Sequence, residues 1–307
     1  MKRLGFLLVA LALVAAACGE SDGTADPTTS TVATTTTTVV PTTTTTKPTT
    51  TTTSVVPADD QYVNVYFLVD DVTGEGGPYL RPVSREIEAT VGVAAAAINQ
   101  LIDGPTADEG AGTPAIHGGL PDGTELLELT ISDGVARIDL SSEIEDVGGT
   151  FGEMSVLAQL VFTLTQFPTV DEVVLLIEGE QVEFFGSHGM DVTPTLTRDG
   201  FLGSGLVAEI LIDQPGFFGQ AGNPLLVSGI ARAFEAHLQW GLYDNDGLPL
   251  DEGFTMASTG GPEWGTFQFG VSYTVDTPQL GALIMWADSA VDGSPMNLVE
   301  HPVWLTP

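Results

Sequence analysis

The stretch "TELLELTISDGVARIDLS" (residues 124–141) decides how the first half of this chain folds. Apolar and polar residues alternate on both sides of Asp133-Gly134, a dipeptide favoured in two-residue hairpin turns. Pairing outward from that turn sets Ile131 opposite Ala136, Leu129 opposite Ile138 and Leu127 opposite Leu140. The other face sets Thr130 opposite Arg137 and Glu128 opposite Asp139. One apolar and one polar face is what a sheet with a single buried side requires. Arg137, between Glu128 and Asp139, reads as a structural cation that relieves their repulsion.

The same periodicities extend outward. "QYVNVYFLVDD" (61–71) reads as a strand with Val63, Val65, Phe67 and Val69 on one face, and "YLRPVSREI" (79–87) as a second strand. Thr90 is placed to cap a helix in which Ala94, Ala97, Ile98 and Leu101 share a face, ended by Gly104-Pro105. "FGEMSVLAQLVFTLTQF" (151–167) is a second helix with Met154, Leu157, Val161 and Leu164 on one side. Its polar stripe of Gln159, Thr163 and Gln166 is narrow, so most of the helix is buried. "VDEVVLLIEGEQVEFFG" (170–186) gives a central strand, a turn at Glu178-Gly179-Glu180 and another strand. The order β-β-α-β-β-α-β-β predicts an α+β domain with two helices on one sheet face.

Residues 205–307 carry no convincing helix. Strand-like runs separated by Gly, Pro and Asp turns predict an all-β, immunoglobulin-like sandwich: "AEILIDQ", "LLVSGIARAF", "HLQWGLYD", "LDEGFTMAS", "GTFQFGVSYTV", "GALIMWADSA" and "NLVEHPVWL". Trp240, Phe254, Phe269, Tyr273 and Trp304 are the expected core aromatics. "DNDG" (244–247) lacks the acids at both ends that a calcium loop needs, and reads as a hairpin turn.

Two blocks of the chain resemble known domain families. "VNVYFLVDD", "LRPVSREI", "AAAAINQLIDGPT", "LPDGTELLELTISDGVARIDLSSE" and "VLAQLVFTLTQFPTVDEVVLLIEGEQV" resemble the GerMN domain of sporulation and spore germination. "PLLVSGIARAFEAHLQWGLYDNDG", "EGFTMASTGGPEWGTFQFGVSYTV" and "ADSAVDGSPMNLVEHPV" resemble the immunoglobulin-like domain of bacterial spore germination. The first resemblance implies a fold related to ring-building modules of secretion and sporulation complexes, and with it oligomerisation through that domain. Neither resemblance implies catalytic residues.

The N-terminus reads as an export signal. Lys2 and Arg3 precede an apolar run over residues 4–17, which is shorter than a membrane-spanning helix. "VAAAC" resembles the lipobox of bacterial lipoproteins, with Cys18 as the lipid attachment residue. The Thr/Pro tract that follows cannot bury a core and reads as a disordered tether, with an upper reach of about 120 Å at ~3.1 Å per residue. The expected organisation is a signal peptide over 1–17, lipidated Cys18 and tether over 18–60, a GerMN-like domain over 61–201 and a sandwich over 205–307. "GESDG" (19–23) matches a serine-hydrolase pattern, but no strand precedes it and no helix follows it.

Charge narrows the partners. The chain has 41 acidic and 8 basic residues, a formal net charge of −33. Such a chain repels nucleic acid and anionic lipid surfaces. The single cysteine excludes an internal disulfide and a multi-cysteine metal site. His117, His188, His237 and His301 have no ligand spacing, so no metal or cofactor is expected. Beyond Lys47 the cations are Arg81, Arg85, Arg137, Arg198 and Arg232.

Arg81 and Arg85 share a strand face, four residues apart. Together they suit a fork onto a carboxylate or phosphate of a ligand or partner. They also suit pairing with Asp70, Asp71, Glu86 or Glu88. Arg85 falls where the GerMN pattern carries its own arginine, within "PVSREI", which implies a structural anchor. The expected protein is non-enzymatic: an extracytoplasmic lipoprotein anchored to the cell membrane that binds or assembles with an envelope protein or the cell wall. The competing expectations are a ligand-binding lipoprotein with an inter-domain pocket and a cell-wall hydrolase.

Overall fold

The Asp133-Gly134 hairpin is built by strands β4 and β5, once the chain has laid down a separate small sheet. The computed structural model describes residues 61–74 and 76–307. The export signal, Cys18 and the Thr/Pro tether lie outside the described residues.

β1 (Gln61–Val69) and β2 (Tyr79–Ile87) pair antiparallel in unbroken register from Gln61↔Ile87 to Val69↔Tyr79. β1 is buried on both faces from Val63 onward, not on one. Helix α1 (Val93–Asp103) follows, with Ala97, Ile98 and Leu101 buried. Its N-cap is Gly92, and Thr90 instead accepts a hydrogen bond from the Gly92 N–H at 3.0 Å. Gly104, at φ 74°, closes the helix as expected. A one-turn helix α2 (Ala107–Gly110) carries a reciprocal capping box between Thr106 and Glu109. β3 (Ile116–His117) pairs only with the end of β1.

β4 (Leu126–Ser132) and β5 (Gly134–Leu140) meet at Asp133 and Gly134, both with positive φ, as the primed hairpin turn demands. A bulge between Leu126 and Glu128 shifts the outer register, so Leu126 rather than Leu127 faces Leu140. Leu127 is thereby turned outward and exposed. Helix α3 (Gly149–Leu164) carries the chain across so that β6 (Val170–Ile177) lies parallel to β5. β7 (Glu180–Gln181) adds a short edge, giving the order β4-β5-β6-β7. β8 (Phe184–Phe185) and β9 (Met190–Asp191) form a small separate hairpin.

The α+β class is as the sequence predicts, but the strands form two sheets, β2-β1-β3 and β4-β5-β6-β7, rather than one. The polar stripe of α3 explains the split. The Asn64 N–H donates to Gln166 Oε1 at 2.8 Å, the Gln166 amide donates back to Asn64 O, and the Tyr66 N–H donates to Thr163 Oγ1 at 3.0 Å. Thr163 on α3 and Gln166, two residues past the helix end, thus satisfy the β1 edge where a further strand would otherwise pair.

The remaining strands are β10 (Ile210–Gln214), β11 (Leu225–Ala231), β12 (His237–Tyr243), β13 (Pro249–Met256), β14 (Gly265–Val271), β15 (Gln279–Asp288) and β16 (Pro295–Leu305). All correspond to the runs read from the sequence. They form two sheets, β10-β11-β14 and β13-β12-β15-β16. Trp240 and Tyr273 are buried between them, and Phe269 packs against that core. Phe254 and Trp304 do not join it: strand parity turns both outward, and Phe254 stacks on His237. Asp244–Gly247 is a turn in which Asp244 Oδ1 accepts from the Asp246 and Leu248 amides.

A short segment joins the two halves edge to edge. Leu80 N–H donates to Leu206 O at 2.8 Å, Phe217 N–H to Pro82 O at 2.7 Å, and Ser84 N–H to Phe217 O at 3.0 Å. On its other side Phe218 N–H donates to Pro302 O at 2.9 Å, Trp304 N–H to Gly219 O at 2.9 Å and Ala221 N–H to Trp304 O at 2.7 Å. Residues 217–221 therefore extend both β2 and β16. Gly216 enters this segment against Asn64 and Ser84, where any Cβ would collide with Asn64 Oδ1.

Candidate functional site

Cations are scarce in the folded chain, so the surroundings of each arginine are informative. Arg85 donates to both oxygens of Glu109, at 2.5 and 2.7 Å, and lies 5.3 Å from the Phe67 ring centroid. Burial alone would raise the Glu109 carboxyl; hydrogen bonds from Arg85 and Thr106 outweigh it and hold the group below the usual range. This partner is none of the acids weighed from the sequence. It ties α2 to the sheet. Arg85→Ala is expected to cost about 2 kcal/mol, read as a lowered melting temperature.

Arg232 is bidentate to Glu209, at 2.5 and 2.7 Å, and lies over Trp264. Arg137 is exposed and, among the described residues, has no carboxylate within 4.0 Å, so it does not bridge Glu128 and Asp139. Asp139 instead accepts from the Gly179 amide at 2.9 Å.

Arg198 belongs to a largely buried cluster that sequence reasoning missed. It donates to Asp213 Oδ1 at 2.8 Å, Thr165 Oγ1 at 2.8 Å, Tyr66 Oη at 3.2 Å and Phe162 O at 3.3 Å. Its guanidinium lies against both the Phe162 and Tyr66 rings, 4.6 and 5.2 Å from their centroids. The Tyr66 hydroxyl donates to Asp213. Burial, then the Asp213 charge, pushes that hydroxyl above its ordinary value, so it stays protonated. The cluster joins β1, the 198–201 turn and β10, residues far apart in sequence with no local pattern to flag them.

Arg81 differs from all of these. It is 5 % exposed and, among the described residues, has no carboxylate within 4.0 Å. Its one hydrogen bond among the described residues runs from Nη1 to Ile210 O at 3.0 Å, and Tyr79 lies 5.7 Å away by ring centroid. Burial lowers the guanidinium to about 10, with Asp71 and Tyr79 pulling the other way, so it is charged at neutral pH. It lines a cleft of about 380 Å³ together with Asp71, Tyr79, Glu209, Met296 and Val299. The cleft lies between the β1–β2 loop and the strands of the sandwich. Arg85 does not reach it, so the two arginines do not form one site.

His301 lies beneath this region. It is fully buried and packs edge-on to Phe217, 4.4 Å between centroids. Among the described residues neither ring nitrogen makes a hydrogen bond of good geometry, and the backbone at Pro215 and Gly216 is its nearest polar company. Burial, then the Arg81 charge, lowers the imidazole to about 3, opposed in part by the backbone at Pro215 and Gly216. The other histidines lie apart from it: His117 faces Asp70, His188 faces Glu153, and His237 faces Asp288.

Comparison with known proteins follows these two halves. The model of the family described as "Sporulation and spore germination" matches residues 64–183. The model described as "Immunoglobulin-like domain of bacterial spore germination" matches residues 209–294. The two folded domains belong to these spore-germination families. Neither is an enzyme family. The GerMN-like domain holds Arg81, and the immunoglobulin-like domain holds Ile210, whose carbonyl receives it. The lipoprotein LpqB of Thermobifida fusca (strain YX) is 32% identical over 126 residues, 40% of this chain. The match spans 19% of that protein's length. Among solved structures, the first GerMN domain of the sporulation protein GerM from Bacillus subtilis is 22% identical, covering 45% of this chain and 98% of that one, at a TM-score of 0.37. The tandem GerMN domains of the same protein are 17% identical, covering 70% and 63%, at a TM-score of 0.38.

Proposed function

We propose that the chain is an exported, lipid-anchored, non-enzymatic protein of the cell envelope that binds or assembles with an envelope protein or the cell wall, in the manner of sporulation and germination complex components. In this reading residues 1–17 are removed, Cys18 carries the lipid, residues 18–60 form the tether, and the GerMN-like domain (61–201) and sandwich (205–307) are presented extracytoplasmically. The observation that carries it is the junction at 217–221, whose backbone hydrogen bonds hold the two domains as one presenting surface. The "VAAAC" sequence and the lipoprotein name of the Thermobifida fusca relative support the anchor. Oligomerisation through the GerMN-like domain is part of the same reading.

Cys18→Ser is expected to move the chain from the membrane fraction to the soluble fraction. A variant that stays with the membrane removes the lipid anchor from this reading. Crosslinking in intact cells, with mass spectrometric identification of the captured partner, tests the assembly role. Recovery of an envelope protein or wall fragment linked to the folded domains is the expected result, and a chain that captures neither refutes it.

A further inference from the structure

Arg81 sits in a position that is costly without a counter-charge. A buried cation lacking a paired anion loses its hydration without recovering it. The other partly or fully buried arginines, Arg85, Arg198 and Arg232, each have a carboxylate at hydrogen-bonding distance. Among the described residues Arg81 has one backbone carbonyl and no carboxylate within 4.0 Å; the Asp71 charge acts on it only from farther off, and Arg81 borders a cleft open enough for a ligand. The cleft volume equals that of about a dozen liquid waters.

The walls of the cleft restrict what fits. Tyr79, Met296, Leu298 and Val299 give one apolar side. Glu209 is already neutralised by Arg232. Among the described residues of the lining Asp71 is left as the negative group, with its carboxylate accepting from Thr73. A phosphate dianion would meet a single guanidinium, a repelling Asp71 and a strongly acidic chain. A ligand carrying both signs meets a partner for each and pays no net penalty in the field of the chain.

We propose that this cleft binds a small zwitterion, a free amino acid or short peptide, with its carboxylate on Arg81 and its ammonium facing Asp71. The site deepens the binding role proposed above by naming a ligand class. It needs neither the lipid anchor nor the envelope partner, so its failure would leave the crosslinking result standing.

The test is titration calorimetry on the purified full-length chain with L-leucine and dialanine, against L-leucinamide, N-acetyl-L-leucine and inorganic phosphate. Saturable binding of L-leucine or dialanine is expected, and which of the two binds tells a free amino acid from a peptide. Removing either charge should weaken binding about tenfold or more. Asp71→Asn, on the loop and not in the core, should weaken L-leucine while sparing N-acetyl-L-leucine. Arg81→Gln should abolish binding of both. The proposal is overturned if neither zwitterion binds saturably, if leucinamide binds as well as leucine, or if phosphate competes. Should Arg81→Gln fail to fold, the ligand series on the unaltered chain and Asp71→Asn still decide.

Discussion

Asp213→Ala is expected to destabilise the fold by about 3 kcal/mol, the lower end of the range for breaking a buried ion pair, and to shift the urea midpoint accordingly. Asp213 is the shared acceptor for Arg198 and the Tyr66 hydroxyl. Removing it leaves a largely buried guanidinium held only by neutral oxygens from Thr165, Tyr66 and Phe162. It also leaves a buried phenol without its acceptor. Because Asp213 lies on β10 and Tyr66 on β1, the loss should reach both domains together, so fluorescence and circular dichroism should report one common transition at a lower denaturant concentration. Tyr66→Phe removes two hydrogen bonds, the one donated to Asp213 and the one accepted from Arg198, and leaves the ion pair, so a cost of about 2 kcal/mol is expected. Equal costs for the two variants would contradict the central place given to Asp213.

The second large effect is on pH dependence. Unfolded, His301 takes up a proton near the ordinary value of about 6.5. Folded, it stays neutral until about pH 3. Between those values the unfolded chain binds the extra proton, so this residue's contribution falls as pH drops from about 6.5 toward 3, by up to about 1.4 kcal/mol per pH unit. Above that window it makes no pH-dependent contribution. His301→Leu should therefore flatten the acid limb of the stability curve. Urea melts at a series of pH values check this. An unaltered acid slope in the variant would mean that another group carries it.

Local pattern made most of the fold legible. The Asp133-Gly134 turn, the Gly104 stop and every strand of the sandwich were readable because each is set by a few neighbouring residues. What failed shows where local pattern ends. Leu127 was turned out by a bulge, which shifts parity without a signature in composition. Phe254 and Trp304 are large and apolar, yet their neighbours Thr255 and Val303 are the inward residues. Their size suggested a core role that strand parity overruled. The narrow polar stripe on α3 was seen, but its meaning as a surrogate strand for the β1 edge depended on a contact a hundred residues away.

The candidate site was legible only in part. Arg81 stood out by the scarcity of cations, and its neighbour Arg85 by the family pattern. That one is anchored to Glu109 while the other borders a cleft could not be read, since the difference is made by α2 and by the arrival of β10. The cluster of Tyr66, Arg198 and Asp213 and the buried His301 carry no spacing signal, because each is assembled by the tertiary fold alone.

The segment at 217–221 also bears on whether the two domains can be separated. It is a neighbour to β2 and to β16 at once, so neither domain is a detachable bead on a string. Cut apart, each would present a row of unsatisfied backbone groups, an invitation to self-association. Moving one domain without this splice would leave a strand edge of its former neighbour bare.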